Sequence, residues 1–155
     1  MLLFLSDNLP YEVNISKLAA YLKLNKNTVL SYLSSMKKAE LLHLLYCDNK
    51  SVTKMQKPDK IYIHNPNMLC ALAQDENIGT LRECFVVSQL SAGHTVEYGR
   101  ANGDFRIDSK ITFEVGGSSK SFEQIANIPD SYILADNMEF PIGKKLPLWI
   151  IGFCY

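Results

Sequence analysis

Residues 111–120 read ITFEVGGSSK. Apolar Ile111, Phe113 and Val115 alternate with Thr112, Glu114 and Gly116, the two-residue period of a β-strand. An acid on such a strand shares its face with the residue two positions on, which here is Gly116. A side chain at that position would stand beside the carboxylate, and glycine supplies none. The next lysine along the chain is Lys120. Whether Lys120 reaches Glu114 decides what chemistry this strand supports.

Outward from this strand, the flanking segments predict a layered α/β (α+β) domain over residues 66–155. The stretch 78–93, IGTLRECFVVSQLSAG, predicts a long helix with Ile78, Leu81, Phe85 and Leu90 on its apolar side. HTVEYGR and FRID predict strands, with NGD as the turn between them. SFEQIANI predicts a helix, and SYILAD and LPLWIIGFCY predict two buried strands. Trp149, Phe153 and Tyr155 suit a core or an interface, and so apolar a terminal run favours the core. A helix, a meander, a crossover helix and further strands make a mixed sheet flanked by helices.

Residues 1–65 follow a different plan. Asn14 precedes ISKLAAYLK and Asn25 precedes KNTVLSYLSSMKKAELL. Asparagine caps a helix by accepting a bond from a free N–H of the first turn. Ile15, Leu18, Ala19 and Leu22 form one apolar stripe, and Val29, Leu33 and Met36 form another. A connection of about three residues makes the pair a helix-turn-helix. LLHLLYCD and KIYIHN then predict a hairpin whose long tip carries Lys50, Lys54 and Lys57, the shape of a wing. The second helix presents Lys26, Asn27, Thr28 and Ser31, with Tyr32 beyond and Lys37 and Lys38 extending the positive face. These side chains suit phosphates and base edges. The same unit also serves as a packing or protein-interaction module. No arginine occurs in residues 1–60, so DNA contact is expected to be phosphate-directed and weakly sequence-specific.

The charge is divided between the halves. Residues 1–60 hold nine lysines against five acids, and residues 61–155 hold seven basic residues against eleven acids. A basic half can meet nucleic acid, and an acidic half can hold a divalent cation. No apolar run is long enough to span a membrane. The opening MLLFLSDNLP lacks the basic start and small-residue cleavage site of a signal peptide. Cys47, Cys70, Cys84 and Cys154 have no ligand spacing and are expected as free thiols in a reducing, cytoplasmic setting.

Three acids are candidates for one site: Glu83 on the long helix, Asp104 at the start of a strand and Glu114 on the next. If they converge, they can hold Mg2+ or Mn2+ through oxygen ligands. Such an ion activates water and stabilises charge on a phosphodiester. The plainer readings are a salt bridge of Glu83 with Arg82 or Arg106, and a turn role for Asp104. Lys120 and Gln124 lie four apart, on one face of the expected SFEQI helix. There Lys120 is either a solvated residue or a lysine that reaches into the site.

From Val13 onward the chain resembles a C-terminal domain family found behind AAA-type ATPase modules (domain of unknown function 4143). The pieces that carry the resemblance are VNISKLAAYLKLNKNTVLSYL, KPDKIYIHNPNMLCAL, NIGTLRECFVVSQL, GDFRID, FEVGGSSKSFEQI and LPLWIIGFCY, in that order. The resemblance implies a winged helix followed by a restriction-endonuclease-like core of the PD-(D/E)xK type. In that pattern Glu83 matches the helix acid, and Asp104 and Glu114 match the two strand acids. The pattern's lysine, which orients the attacking water, falls on Gly116, with Lys120 as the candidate replacement. No GxxxxGK[ST] phosphate loop occurs, so the ATPase module is expected elsewhere in a longer protein. The first dozen residues are expected as the tail of a preceding helical lid.

Three functions follow as expectations. The first is a DNA-binding accessory domain of an ATPase with a degenerate nuclease-like core. The second is an active metal-dependent DNA nuclease using Glu83, Asp104, Glu114, Lys120 and Gln124. The third is a protein-interaction or assembly module. The sequence leaves the oligomeric state open.

Overall fold

The computed structural model of the protein describes residues 1–9, 11–47, 57–75 and 77–154. Lys50 and Lys54 of the expected hairpin tip, and Tyr155, lie outside the described residues. The chain divides into two units, Met1–Glu76 and Asn77–Tyr155. The fold is mixed α+β, with N-terminal helices followed by a five-stranded mixed sheet and flanking helices.

The first unit is built from α1 (Leu2–Asp7), β1 (Tyr11–Glu12), α2 (Ile15–Leu22), α3 (Lys26–Lys38), β2 (Leu42–Leu45), β3 (Lys60–Ile63) and α4 (Pro66–Leu72). Its helices start where the asparagines predict. Asn14 Oδ1 accepts from Lys17 N–H at 3.0 Å, and Asn25 Oδ1 accepts from Thr28 N–H at 2.8 Å. Lys23 closes α2 in the left-handed region at φ 54°, which turns the chain straight into α3. Ile15, Leu18, Ala19, Val29 and Leu33 are buried, the stripes expected from the spacing. Strands β2 and β3 pair antiparallel, with Leu44 opposite Ile61. The two-residue β1 completes a sheet of order β1-β3-β2, an addition too short to leave a period in the sequence. Helix α4, expected in the second domain, belongs to the first unit, where Gln74 N–H donates to Asp7 Oδ1.

On β2, His43 stacks on His64, with ring centroids 4.5 Å apart and planes 14° from parallel. His43 Nε2 lies 3.1 Å from the carbonyl oxygen of His64. Burial, then the His64 ring, hold the pKa of His43 down at about 4, and Lys37 acts in the same direction.

The second unit comprises α5 (Ile78–Leu90), β4 (Val96–Tyr98), β5 (Phe105–Ile107), β6 (Ile111–Gly116), β7 (Ser131–Ala135), β8 (Lys145–Pro147) and a 3₁₀-helix (Leu148–Phe153). The sheet order is β4-β5-β6-β7-β8. Strands β4 to β6 are an antiparallel meander, and β7 and β8 then add in parallel. Gly103 makes the first turn possible. It sits at φ 87°, and a Cβ there would lie 2.7 Å from Thr112 Cγ2. The central strand β6 buries both faces, with Phe113 and Val115 on one and Thr112 and Glu114 on the other.

Two expected elements differ. SFEQIANI forms successive turns instead of a helix, with Ile125 N–H donating to Phe122 O and Ile128 N–H to Ile125 O, both at 3.0 Å. The segment must carry the chain from β6 to the parallel β7 while burying Ile125 against Ile133 and Ala135. Pro129 also bars further helical growth. LPLWIIGFCY is a strand only up to Pro147, whose missing N–H ends the ladder. The rest is 3₁₀, and Trp149 and Phe153 are 54% and 73% exposed instead of being core residues. All four cysteines are free thiols, Cys84 fully buried. Among the described residues no helix is long and apolar enough to cross a membrane.

The depressed pKa of His43 sets a pH window. The unfolded chain binds this proton near the ordinary histidine value and the folded chain near 4, so the stabilisation is complete above about 6.5 and is lost as pH falls toward 4. The first unit is expected to lose roughly 1–3 kcal/mol between pH 7.5 and pH 4 from this group. Urea unfolding of His43→Phe, which keeps the stack without the titration, should show a correspondingly smaller acid-side loss.

Candidate nucleic-acid interface and acidic pocket

At the start of α3, Lys26, Asn27, Thr28 and Ser31 line one shallow concave surface with Asn25 and Tyr32. Lys26, Asn27, Ser31 and Tyr32 are exposed there. No acid occupies the first turn of α3, so the partial positive charge of the helix N-terminus adds to Lys26. The surface therefore offers donors and positive charge to an anion, with an aromatic ring beside them. Lys37 and Lys38 are exposed in the last turn of the same helix, about 16 Å from Lys26 at the helical rise. They complement the helix C-terminus and are not part of that concave surface. Lys57 is exposed ahead of β3, and Lys54 lies outside the described residues.

In the second unit the question posed by ITFEVGGSSK has a geometric answer. Lys120 Nζ lies 2.5 Å from Glu114 Oε1. Glu114 is 1% exposed, so its charge has left water and requires this partner. The lysine reaches it because Gly116 has no side chain. A Cβ at Gly116 would lie 2.9 Å from the Cβ, Cγ and Cδ atoms of Lys120. The aliphatic stem of Lys120 therefore occupies the space that a side chain at position 116 would take. Lys120 Nζ also donates to Gln124 Oε1 at 3.3 Å. The two residues meet as expected, across turns instead of a helix.

The electrostatics gather the remaining acids around the same ammonium. Burial works against the charge of Lys120. The hydrogen bond and attraction of Glu114, then the fields of Asp104 and Glu83, outweigh it and raise its pKa above the ordinary lysine value. Asp104 is at once the turn residue and a sheet fastener. Its Oδ2 accepts from Val115 N–H at 2.8 Å. Arg82 pairs with Asp136 at 2.9 Å, and Arg106 donates to Ser109 O at 2.7 Å. Arg82 holds the pKa of Asp136 below the usual carboxylate value.

The cation set expected from Glu83, Asp104 and Glu114 is not assembled. Among the described residues no three His, Cys, Asp or Glu side chains stand close enough together to hold a metal ion. The ammonium of Lys120 is the cation that Glu114 contacts. One feature runs the other way: Glu114 Oε2 is buried with no hydrogen-bond partner among the described residues. A buried carboxylate oxygen without a donor is a costly arrangement. Sequence reasoning did not single out Arg82, Asp136 or Lys145 as site residues. Their approach to residues 116–118 depends on strand order, which leaves no local pattern.

No family model matches the chain, and neither does any curated protein or solved structure.

The pair of Glu114 and Lys120 gives a stability test. Lys120→Met, and Gly116→Ala by displacing the lysine, should each cost about 2–4 kcal/mol, the scale for leaving one partner of a buried pair uncompensated, reduced for the lysine's partial exposure. Adding Glu114→Gln to Lys120→Met should recover most of the loss in a double-mutant cycle by urea unfolding.

Proposed function

We propose that this chain is a nucleic-acid-binding C-terminal accessory domain of an AAA-type ATPase. In this reading residues 1–65 act as a winged helix, and the following region is a restriction-endonuclease-like core of the PD-(D/E)xK type in a degenerate state. The observation that carries it is the union of Glu114 and Lys120 across Gly116, with Asp104 and Glu83 within electrostatic reach of the same ammonium. An acid and lysine from one nuclease-type pattern are thus together, although the lysine comes from a later turn. The degenerate state is favoured because Lys120 neutralises Glu114, Asp104 Oδ2 is engaged by the Val115 N–H, and the acids do not form a metal-binding group of three. The concave surface at the start of α3 supplies the nucleic-acid contact, with phosphates as its expected targets.

A second reading is an active metal-dependent DNA nuclease. It is favoured by the unsatisfied Glu114 Oε2, an oxygen suited to Mg2+ or Mn2+ if Lys120 moves aside. In that state Glu83, Asp104 and Glu114 would be the ligands, and Lys120 and Gln124 would stand beside the attacked phosphate.

Binding of a labelled DNA duplex by the full chain tests the first reading. Lys26→Ala should weaken binding about 3- to 10-fold and reduce the salt slope by about one counterion, as loss of one phosphate contact does. Lys37→Ala, at the far end of α3, should change it less. Equal effects of the two substitutions would remove the concave surface as the contact. Mn2+ titration by calorimetry separates the readings of the core. The degenerate state predicts no heat at millimolar Mn2+ from the chain alone, and none with DNA beyond that of Mn2+ binding to the DNA alone. Binding that Glu114→Gln abolishes, together with DNA cleavage, would establish the nuclease.

A further inference from the structure

Gly117 and Ser118 follow β6 and are approached by two cations from different elements. Arg82 comes from α5. Its Nη1 and Nη2 atoms lie 3.7 and 3.8 Å from where a Cβ of Gly117 would stand. Lys145 comes from β8, and its Nζ donates to Ser118 O at 2.9 Å. Lys120 lies at the other end of the same short turn, closed by Lys120 N–H to Gly117 O at 3.0 Å.

The acids near this turn gather around Lys120 and the Nε edge of Arg82. Asp136 engages the Nε edge of Arg82, and Glu114 engages Lys120. The terminal nitrogens of Arg82 keep donor capacity on the Gly117 side, and an ammonium bonded to one carbonyl keeps two more N–H groups. Asp136 also orients Arg82, since its 2.9 Å contact fixes the planar fork with one edge toward the loop. Gly117 exposes backbone where any other residue would place a side chain toward the guanidinium. Ser118 and Ser119 are exposed and add hydroxyl donors.

We infer that the Gly117–Ser119 loop, flanked by Arg82 and Lys145, is a binding site for a phosphate group, its ligand being a backbone phosphate of nucleic acid. The fork of Arg82 contributes directed bonds to phosphate oxygens, and Lys145 contributes charge. The site lies three to five residues beyond Glu114 on the chain, so a phosphate held there stands next to the acidic pocket. The nucleic-acid identity of the ligand rests on the function proposed above; the affinity for phosphate does not.

The test is a titration of the whole 15N-labelled 155-residue chain, followed by the backbone amide spectrum, with two probes. One is inorganic pyrophosphate, and the other is a single-stranded thymidylate octamer, with its methylphosphonate analogue as the uncharged control. Both phosphate probes should shift the Gly117, Ser118 and Ser119 amides saturably, and the analogue should not. Arg82→Gln with Lys145→Gln should weaken both at least tenfold, and Arg82→Lys should give an intermediate loss while keeping the contact with Asp136. Spectral dispersion verifies that each variant is folded. Loop amides that ignore both probes, or respond equally in the double variant, overturn the site. If the octamer moves only the first-turn amides of α3, the site is overturned while the nucleic-acid function stands. If pyrophosphate moves the loop and the octamer moves neither surface, the assignment to nucleic acid is overturned and the function proposed above fails with it.

Discussion

A carboxylate lies inside a sheet, and much of the second unit is arranged around that fact. Glu114 occupies the central strand β6 at 1% exposure. An unpaired charge there would cost several kcal/mol, so a cation must reach it. Its neighbour two residues on cannot do so, because Gly116 has no side chain. The chain instead bends through Gly117–Ser119 and returns Lys120 over the vacant position. That return fixes where the crossover to β7 begins. From there the crossover proceeds by turns that bury Ile125.

Much of the architecture is legible in the sequence because it is written in local patterns. Asn14 and Asn25 mark two helix starts, and each side chain caps as its chemistry predicts. The apolar stripes of α2 and α3 and the alternation of β6 are equally direct. The misreadings occur where tertiary constraint decides. An apolar run such as LPLWIIGFCY suits a strand or a short 3₁₀ segment, and Pro147 ends the strand before the aromatics are reached. β1 is too short for any periodicity. The helix acid, the two strand acids and Lys120 could be named as candidates from spacing, but their relation to one another could not. Arg82, Asp136 and Lys145 converge only because β7 and β8 add to the sheet in parallel beyond β6.

The two units solve the problem of charge differently. At the start of α3 the donors are exposed, lie side by side and are pre-set by a capped helix end. They suit a ligand that brings its own negative charge and leaves with salt. At Glu114 the charge is paired internally, and a cation that enters there must replace Lys120. The first surface favours loose, rapid contact. The second imposes selectivity, because only a group that replaces the lost internal contact can enter at low cost.

The exposed C-terminal aromatics have an optical consequence. Trp149 is the single tryptophan of the chain, and its Nε1 donates to Met138 O at 3.2 Å while Phe153 packs edge-on to its ring at 6.1 Å. Indole emission therefore originates wholly in the second unit. The first unit contributes only tyrosine and phenylalanine signal, including Phe4 and Tyr21, whose ring centroids lie 4.4 Å apart. Excitation at the red edge of the absorption band sees one half of the molecule, and the far-ultraviolet dichroism of α2 and α3 weights the other. Melting curves from the two signals resolve whether the halves lose structure together or in sequence, with no label added.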